Sequence, residues 1–181
     1  MKKYVIRFGL LSGLIFVILF GFMAATYEKG KINFNTSEWL GYSTMVVAFC
    51  FILIGIKQYR DKELGGYITF GKAFKTGFMI TLLICFIYAF SWTIISNIWM
   101  PSFIDDYGAC MMKQATEAGK SQAEMKELLK QQEMYKSMYS NAFTTFLFTF
   151  LIEPLPVGIV MTLLASFIMK RKNKNTEPVK T

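Results

Sequence analysis

The sequence predicts an all-α polytopic membrane protein with four transmembrane helices and a helical extracytoplasmic cap. Three observations carry this expectation. Four apolar blocks are each long enough to cross about 30 Å of hydrocarbon at about 1.5 Å per residue. The 181 residues are 54% hydrophobic and 17% aromatic, whereas a soluble domain has roughly 45–50% apolar residues even with glycine included. Lys and Arg gather at the ends of the blocks, where membrane proteins place them. The length is that of a single domain.

The first block, 8–26, follows Lys2, Lys3 and Arg7. A signal peptide would carry an apolar part of about 7–15 residues and a small-x-small cleavage site. This block is longer and Met23-Ala24-Ala25 fits such a site poorly, so a retained helix is expected. The second block, 39–56, lies between Trp39 and Tyr42 on one side and Lys57, Tyr59 and Arg60 on the other, as interface residues do. The third, 73–101, has Trp92 and Trp99 near its far end. It exceeds a perpendicular span, so it tilts or starts in the interface. The fourth, 142–169, stops at Lys170-Arg171-Lys172. Residues 1–172 are thus read as one membrane domain, with 173–181 a disordered cytoplasmic tail.

The distribution of basic residues sets the expected orientation. The N-terminus, the 57–75 connection and the C-terminal tail hold thirteen Lys and Arg, and the opposite side holds seven. Both termini are therefore expected in the cytoplasm, with the long 102–140 loop facing outward. That loop carries its own helical signals. Ser121-Gln122-Ala123-Glu124 is a capping box. Met125, Leu128, Leu129, Tyr135 and Tyr139 then recur near helical spacing, so a helix is expected from Gln122 toward the fourth block. Asn141 is the expected place for a break. A shorter helix is expected over Asp105–Ala118, ending near Gly119. Such a pair serves either as a lid or docking surface for an outside partner, or simply as packing over the bundle.

Helices in lipid associate through close packing and hydrogen bonds, so small and polar stripes mark their contact faces. The first block has Gly9, Gly13, Gly21 and Ala25, and the second Gly41, Thr44, Ala48 and Gly55. The third has Gly77, Thr81, Cys85, Ala89, Thr93 and Asn97, and the fourth Asn141, Thr145, Thr149 and Glu153. Gly9, Gly13, Gly77, Cys85 and Ala89 are the expected helix-packing positions, facing the bundle interior or a second copy of the chain.

Glu153 stands inside the last apolar block with no basic residue within about two helical turns. Ionisable groups at membrane depth are rare, costly and the default place to look for function. Two readings follow from its context, Glu153-Pro154-Leu155-Pro156. In one, a protonated Glu donates to carbonyls freed by the prolines and holds a kinked helix together, with Thr149 or Thr81 as further partners. In the other, Glu153, Thr149, Thr145 and Thr81 form a proton or cation site at a broken helix, as in secondary transporters.

Other chemistry is largely excluded. The chain has no His, and Cys50, Cys85 and Cys110 form no CxxC pair. This removes the usual zinc and c-type haem signatures and His-dependent triads, and no cofactor is expected. The net charge of +8 comes without any nucleic-acid-binding motif, so no nucleic-acid partner is expected.

The connection Tyr59-Arg60-Asp61-Lys62-Glu63-Leu64-Gly65-Gly66-Tyr67-Ile68-Thr69-Phe70-Gly71-Lys72-Ala73-Phe74-Lys75-Thr76-Gly77 is the most distinctive stretch. Gly65-Gly66 permits a tight turn, and Asp61 and Glu63 suggest surface ion pairs. No GxxxxGK[ST] is present, which argues against a phosphate loop. This stretch, together with Met100-Pro101-Ser102-Phe103-Ile104-Asp105-Asp106-Tyr107 and the Gly119-Lys120-Ser121 turn, resembles the bacterial membrane family called domain of unknown function 4199. The resemblance spans nearly the whole chain. It implies a four-helix inner-membrane protein of Gram-negative bacteria and brings no reaction or active residue. The expected function is a non-enzymatic component of the inner membrane for assembly or partner binding, with the bilayer, a second copy or another membrane or periplasmic protein as partner. The alternative is a small proton- or cation-coupled transporter using Glu153.

Overall fold

The computed structural model describes residues 1–28 and 34–171, which form seven helices. They are α1 (Lys2–Glu28), α2 (Phe34–Glu63), α3 (Phe70–Ile98), α4 (Phe103–Glu117), α5 (Gln122–Met138), α6 (Ala142–Ile152) and α7 (Pro154–Met169). The expected tail, with Lys29, Lys31 and Lys172, lies outside the described residues. Four stretches are long and apolar enough to cross a membrane: Lys2–Tyr27, Trp39–Glu63, Phe70–Ile98 and Ala142–Met169, the last made of α6 and α7. Each begins or ends within a few residues of its apolar block.

The spans pack around α3, which touches α1, α2, α6 and α7. Phe16, Phe49, Ile52, Ile56, Ile80 and Ile84 are fully buried between them. Leu14, Ile18, Phe22, Val160 and Phe167 point outward, as lipid-facing residues do. The small residues allow the close approach. A Cβ added at Gly9 would lie 2.5 Å from Leu83 Cδ2, and one at Gly13 2.5 Å from Ile87 Cδ1. Gly77 sits against Ile56 and Thr162, while Cys85 and Ala89 are fully buried. Hydrogen bonds add to this packing: Ser12 Oγ donates to the Ala48 carbonyl at 3.0 Å, and the Thr81 and Thr162 hydroxyls pair at 2.8 Å.

The stripes are shorter than their sequence spacing suggests. Val17, Gly21 and Ala25 are exposed on α1, and no neighbour lies within 4 Å of a Cβ built at Gly21 or Gly41. On α3, Thr93 is half-buried and Asn97 exposed, each bonded to a carbonyl of its own helix. A four-residue step turns about 400°, so the row drifts about 40° each time and leaves the contact after a few steps.

One end of the bundle is tied together by the 57–75 connection. Gly65 and Gly66 take positive φ, and Ile68 and Arg171 exchange backbone hydrogen bonds of 3.1 and 2.9 Å. Arg60 is not at the surface: it is 5% exposed and donates to Asp61 at 2.7 Å and to the last carbonyl of α7, Met169 O, at 3.2 Å. Glu63 accepts from Tyr4 rather than from a Lys. Asp61 thus keeps the expected ion pair, with Arg60 of its own helix, whereas Glu63 ties α2 to α1 through Tyr4. A buried guanidinium here satisfies a carbonyl that the end of α7 leaves free.

At the opposite end α4 and α5 form a hairpin that turns at Gly119, φ +66. Both hydrogen bonds of the Ser121–Glu124 capping box are present. Gly108 lets the Gln132 side chain lie directly on α4. Lys136 pairs with Asp105 at 2.6 Å, and the Tyr27 phenol donates to Asp106. Helix α5 ends at Met138, and Asn141 caps α6 by accepting from the backbone N–H of Phe143 and Thr144.

Candidate functional site

Glu153 sits between α6 and α7 with φ −90° and ψ −74°, so the fourth span is two helices. Pro154 opens α7, where its missing N–H is no loss because the first turn has no intrahelical acceptor to serve. The Glu153 side chain accepts two phenolic hydrogen bonds. Tyr88 of α3 donates to Oε2 at 2.7 Å, and Tyr139, at the end of α5, donates to Oε1 at 2.9 Å. Burial, and then the neighbouring Glu153 carboxyl, push the Tyr139 phenol above the ordinary tyrosine range.

This arrangement corrects the expected partners of Glu153. Thr81 is engaged with Thr162 and approaches the Gly158 carbonyl, one helix interface away. Thr145 and Thr149 are buried on α6, and Thr149 neighbours the Tyr139 phenol without bonding Glu153. The physical reason is reach. The Thr residues bury against neighbouring helices, whereas two long phenols extend from α3 and α5 to the break. Neither Tyr88 nor Tyr139 stood out as a Glu153 partner in the sequence. Tyr88 lies beside the Thr81–Cys85–Ala89 stripe, the one signal that pointed at its helix face.

Glu153, Tyr88 and Tyr139 form one wall of a chamber of about 610 Å³. It lies between the first half of α2, the α6–α7 break and the overlying α4–α5 hairpin. Aromatic rings and five methionines make most of its surface, with Gln131 and Gln132 from α5 among the few polar side chains. Trp92 also lines it, and its buried indole N–H has no partner among the described residues. No Lys or Arg is among the described residues lining the chamber. Tyr42 and Ile152, on facing walls, are 58% and 55% exposed, so the chamber opens sideways between α2 and α6. Gly41 contributes to this opening, since nothing fills the space its Cβ would take. Leu128, Tyr135 and Tyr139 of the cap helix turn toward the chamber.

A family model described as Protein of unknown function (DUF4199) matches residues 7–171. No curated protein and no solved structure matches the chain.

Proposed function

The chain belongs to this family of unknown function, and from that premise we propose that it is a non-enzymatic membrane component that binds an apolar or amphiphilic small molecule. The observation that carries this reading is the chamber itself. Small-molecule sites are concave, mostly apolar cavities of about 300–1,000 Å³ with a few convergent polar groups. The space around Glu153 has that size and makeup. Its methionines can adapt to ligands of different shape, because Met is flexible and polarisable. The sideways opening suits a molecule that arrives from the bilayer. The cap then works as a roof. Its apolar residues Leu128 and Tyr135 face the chamber, which favours this over a cap that docks another protein.

Coupled transport is the second reading, and the break at Glu153 favours it. Discontinuous helices at membrane depth carry the substrate and ion sites of secondary transporters.

The test is photolabelling of the intact protein in lipid nanodiscs with a neutral alkyl diazirine. Binding predicts saturable labels on Met45, Met111 and Met138 above those on lipid-facing Leu14 and Val160. Equal, non-saturating labelling of both sets would sink the binding reading.

A further inference from the structure

The chamber joins one carboxyl group to aromatic walls, with no Lys or Arg lining it among the described residues. We infer that its ligand is a lipophilic organic cation, an amine or onium group on an apolar body, held at Glu153. This rests on the proposal that the chamber is a binding site and specifies what it takes.

Three observations point to that chemistry. First, an ionised carboxylate offers about four acceptor positions, and the two phenols occupy one on each oxygen. Glu153 is half-buried and lines the chamber, so the remaining positions face the space a ligand would enter. Second, the rings of Phe20, Tyr42, Trp92, Phe103 and Tyr107 line the same volume. Aromatic faces attract cations, more strongly where water is excluded. Third, the lining carries one acidic side chain and no Lys or Arg among the described residues. An anion would face Glu153 with no compensating charge, and burying it so is costly. A neutral apolar ligand would leave the carboxyl without use. An organic cation satisfies both the carboxylate and the apolar surface.

The fit is one of charge and polarity rather than of a single shape. The opening beside Tyr42 and Ile152 lets the apolar body remain partly in lipid while the charged end reaches Glu153. The cation would sit where Tyr88 and Tyr139 already orient the carboxyl group, so little rearrangement is needed on binding.

The experiment uses the full chain in nanodiscs and two probes of matched shape and opposite charge, tetraphenylphosphonium and tetraphenylborate. Equilibrium dialysis is corrected with empty nanodiscs. The expected result is saturable phosphonium binding and no saturable borate binding. Glu153→Gln should weaken phosphonium binding by roughly tenfold or more, the scale of an ion-pair attraction lost from a low-dielectric site, and Glu153→Asp should retain part of it. Equal binding of both probes, or phosphonium binding unchanged in Glu153→Gln, overturns the cation assignment and leaves the chamber as a binding site for apolar molecules. No saturable binding of either probe while the neutral diazirine still labels the chamber also overturns it. Loss of diazirine labelling as well overturns the underlying binding reading. Should Glu153→Gln fail to fold, Gln131→Lys supplies the check. Gln131 is exposed at the chamber wall, so an added ammonium there should weaken phosphonium binding several-fold with the fold intact. No weakening would again overturn the assignment.

Discussion

Tyr88→Phe removes one hydroxyl from a side chain that is 7% exposed and 2.7 Å from Glu153. The ring itself is held by edge-on contacts with Phe16 and Phe20 at 4.9 and 5.0 Å, so the substitution leaves its packing in place. A hydrogen bond to a charged group contributes about 1.5–3 kcal/mol in a folded protein, and one between neutral groups about 1 kcal/mol. Hydrogen bonds inside membrane proteins average less, near 0.6 kcal/mol with a maximum near 1.7. The expected loss for Tyr88→Phe is therefore about 1–2 kcal/mol. Tyr139→Phe should cost less, because that side chain is only half-buried and its bond is longer, 2.9 Å. The assay is a double-mutant cycle of Tyr88→Phe with Glu153→Gln, read by reversible unfolding in bicelles or mixed micelles. Gln keeps a side-chain oxygen but not the charge, so the cycle isolates what the phenol gains from the carboxyl group. A coupling energy of roughly 1 kcal/mol is expected. Additivity within about 0.3–0.5 kcal/mol, the behaviour of independent sites, would refute the view that the pair acts as a unit.

Two further outcomes follow from the packing and the cap. Gly13→Leu should destabilise the bundle by about 1–3 kcal/mol through overpacking, because its Cβ would meet Ile87, whereas Gly21→Leu should stay within about 0.5 kcal/mol since nothing lies near its Cβ; thermal melts of both variants test this, and equal losses would reject it. The Ser121 backbone N–H and then its hydroxyl hold Glu124 below the usual glutamate range, so this carboxylate supports α5 above its unfolded titration range and loses that role as pH falls through its lowered folded value. Protection factors of the amides at the start of α5, exchange rates taken relative to the unstructured chain at the same pH, should therefore fall on acidification in the native chain, and the fall should be smaller in Ser121→Ala, where the hydroxyl half of the capping box is already removed.

Local signals made much of the molecule legible. The capping box at Ser121, the stop at Gly119 and the break at Asn141 depend on residues within four positions of one another, and all three stand in the structure. Gly9, Gly13, Gly77, Cys85 and Ala89 were readable as packing positions because lipid offers no hydrophobic drive between helices and close approach needs small side chains. How far each stripe stays in contact was not readable, because it depends on where the neighbouring helix diverges. Glu153 stood out by its isolation among apolar residues. Its partners did not, since Tyr88 is 65 positions away and Tyr139 reaches it only because α5 folds back over α6.

The sequence by itself determined the all-α class, four helices long and apolar enough to cross a membrane, the two shorter helices between the third and fourth of them, and the presence of a carboxyl group within the last. These follow from apolar length, helical capping and the cost of placing charge in hydrocarbon, all properties of short stretches of chain. Only the tertiary structure decided that α2 stands away from α6, that the resulting chamber is roofed by α5, and that two phenols converge on Glu153. A cavity is the space several distant segments leave unfilled, and its contents depend on relative helix positions that no local pattern encodes. The cation site proposed here belongs to that second category, which is why it becomes visible only once the helices are assembled.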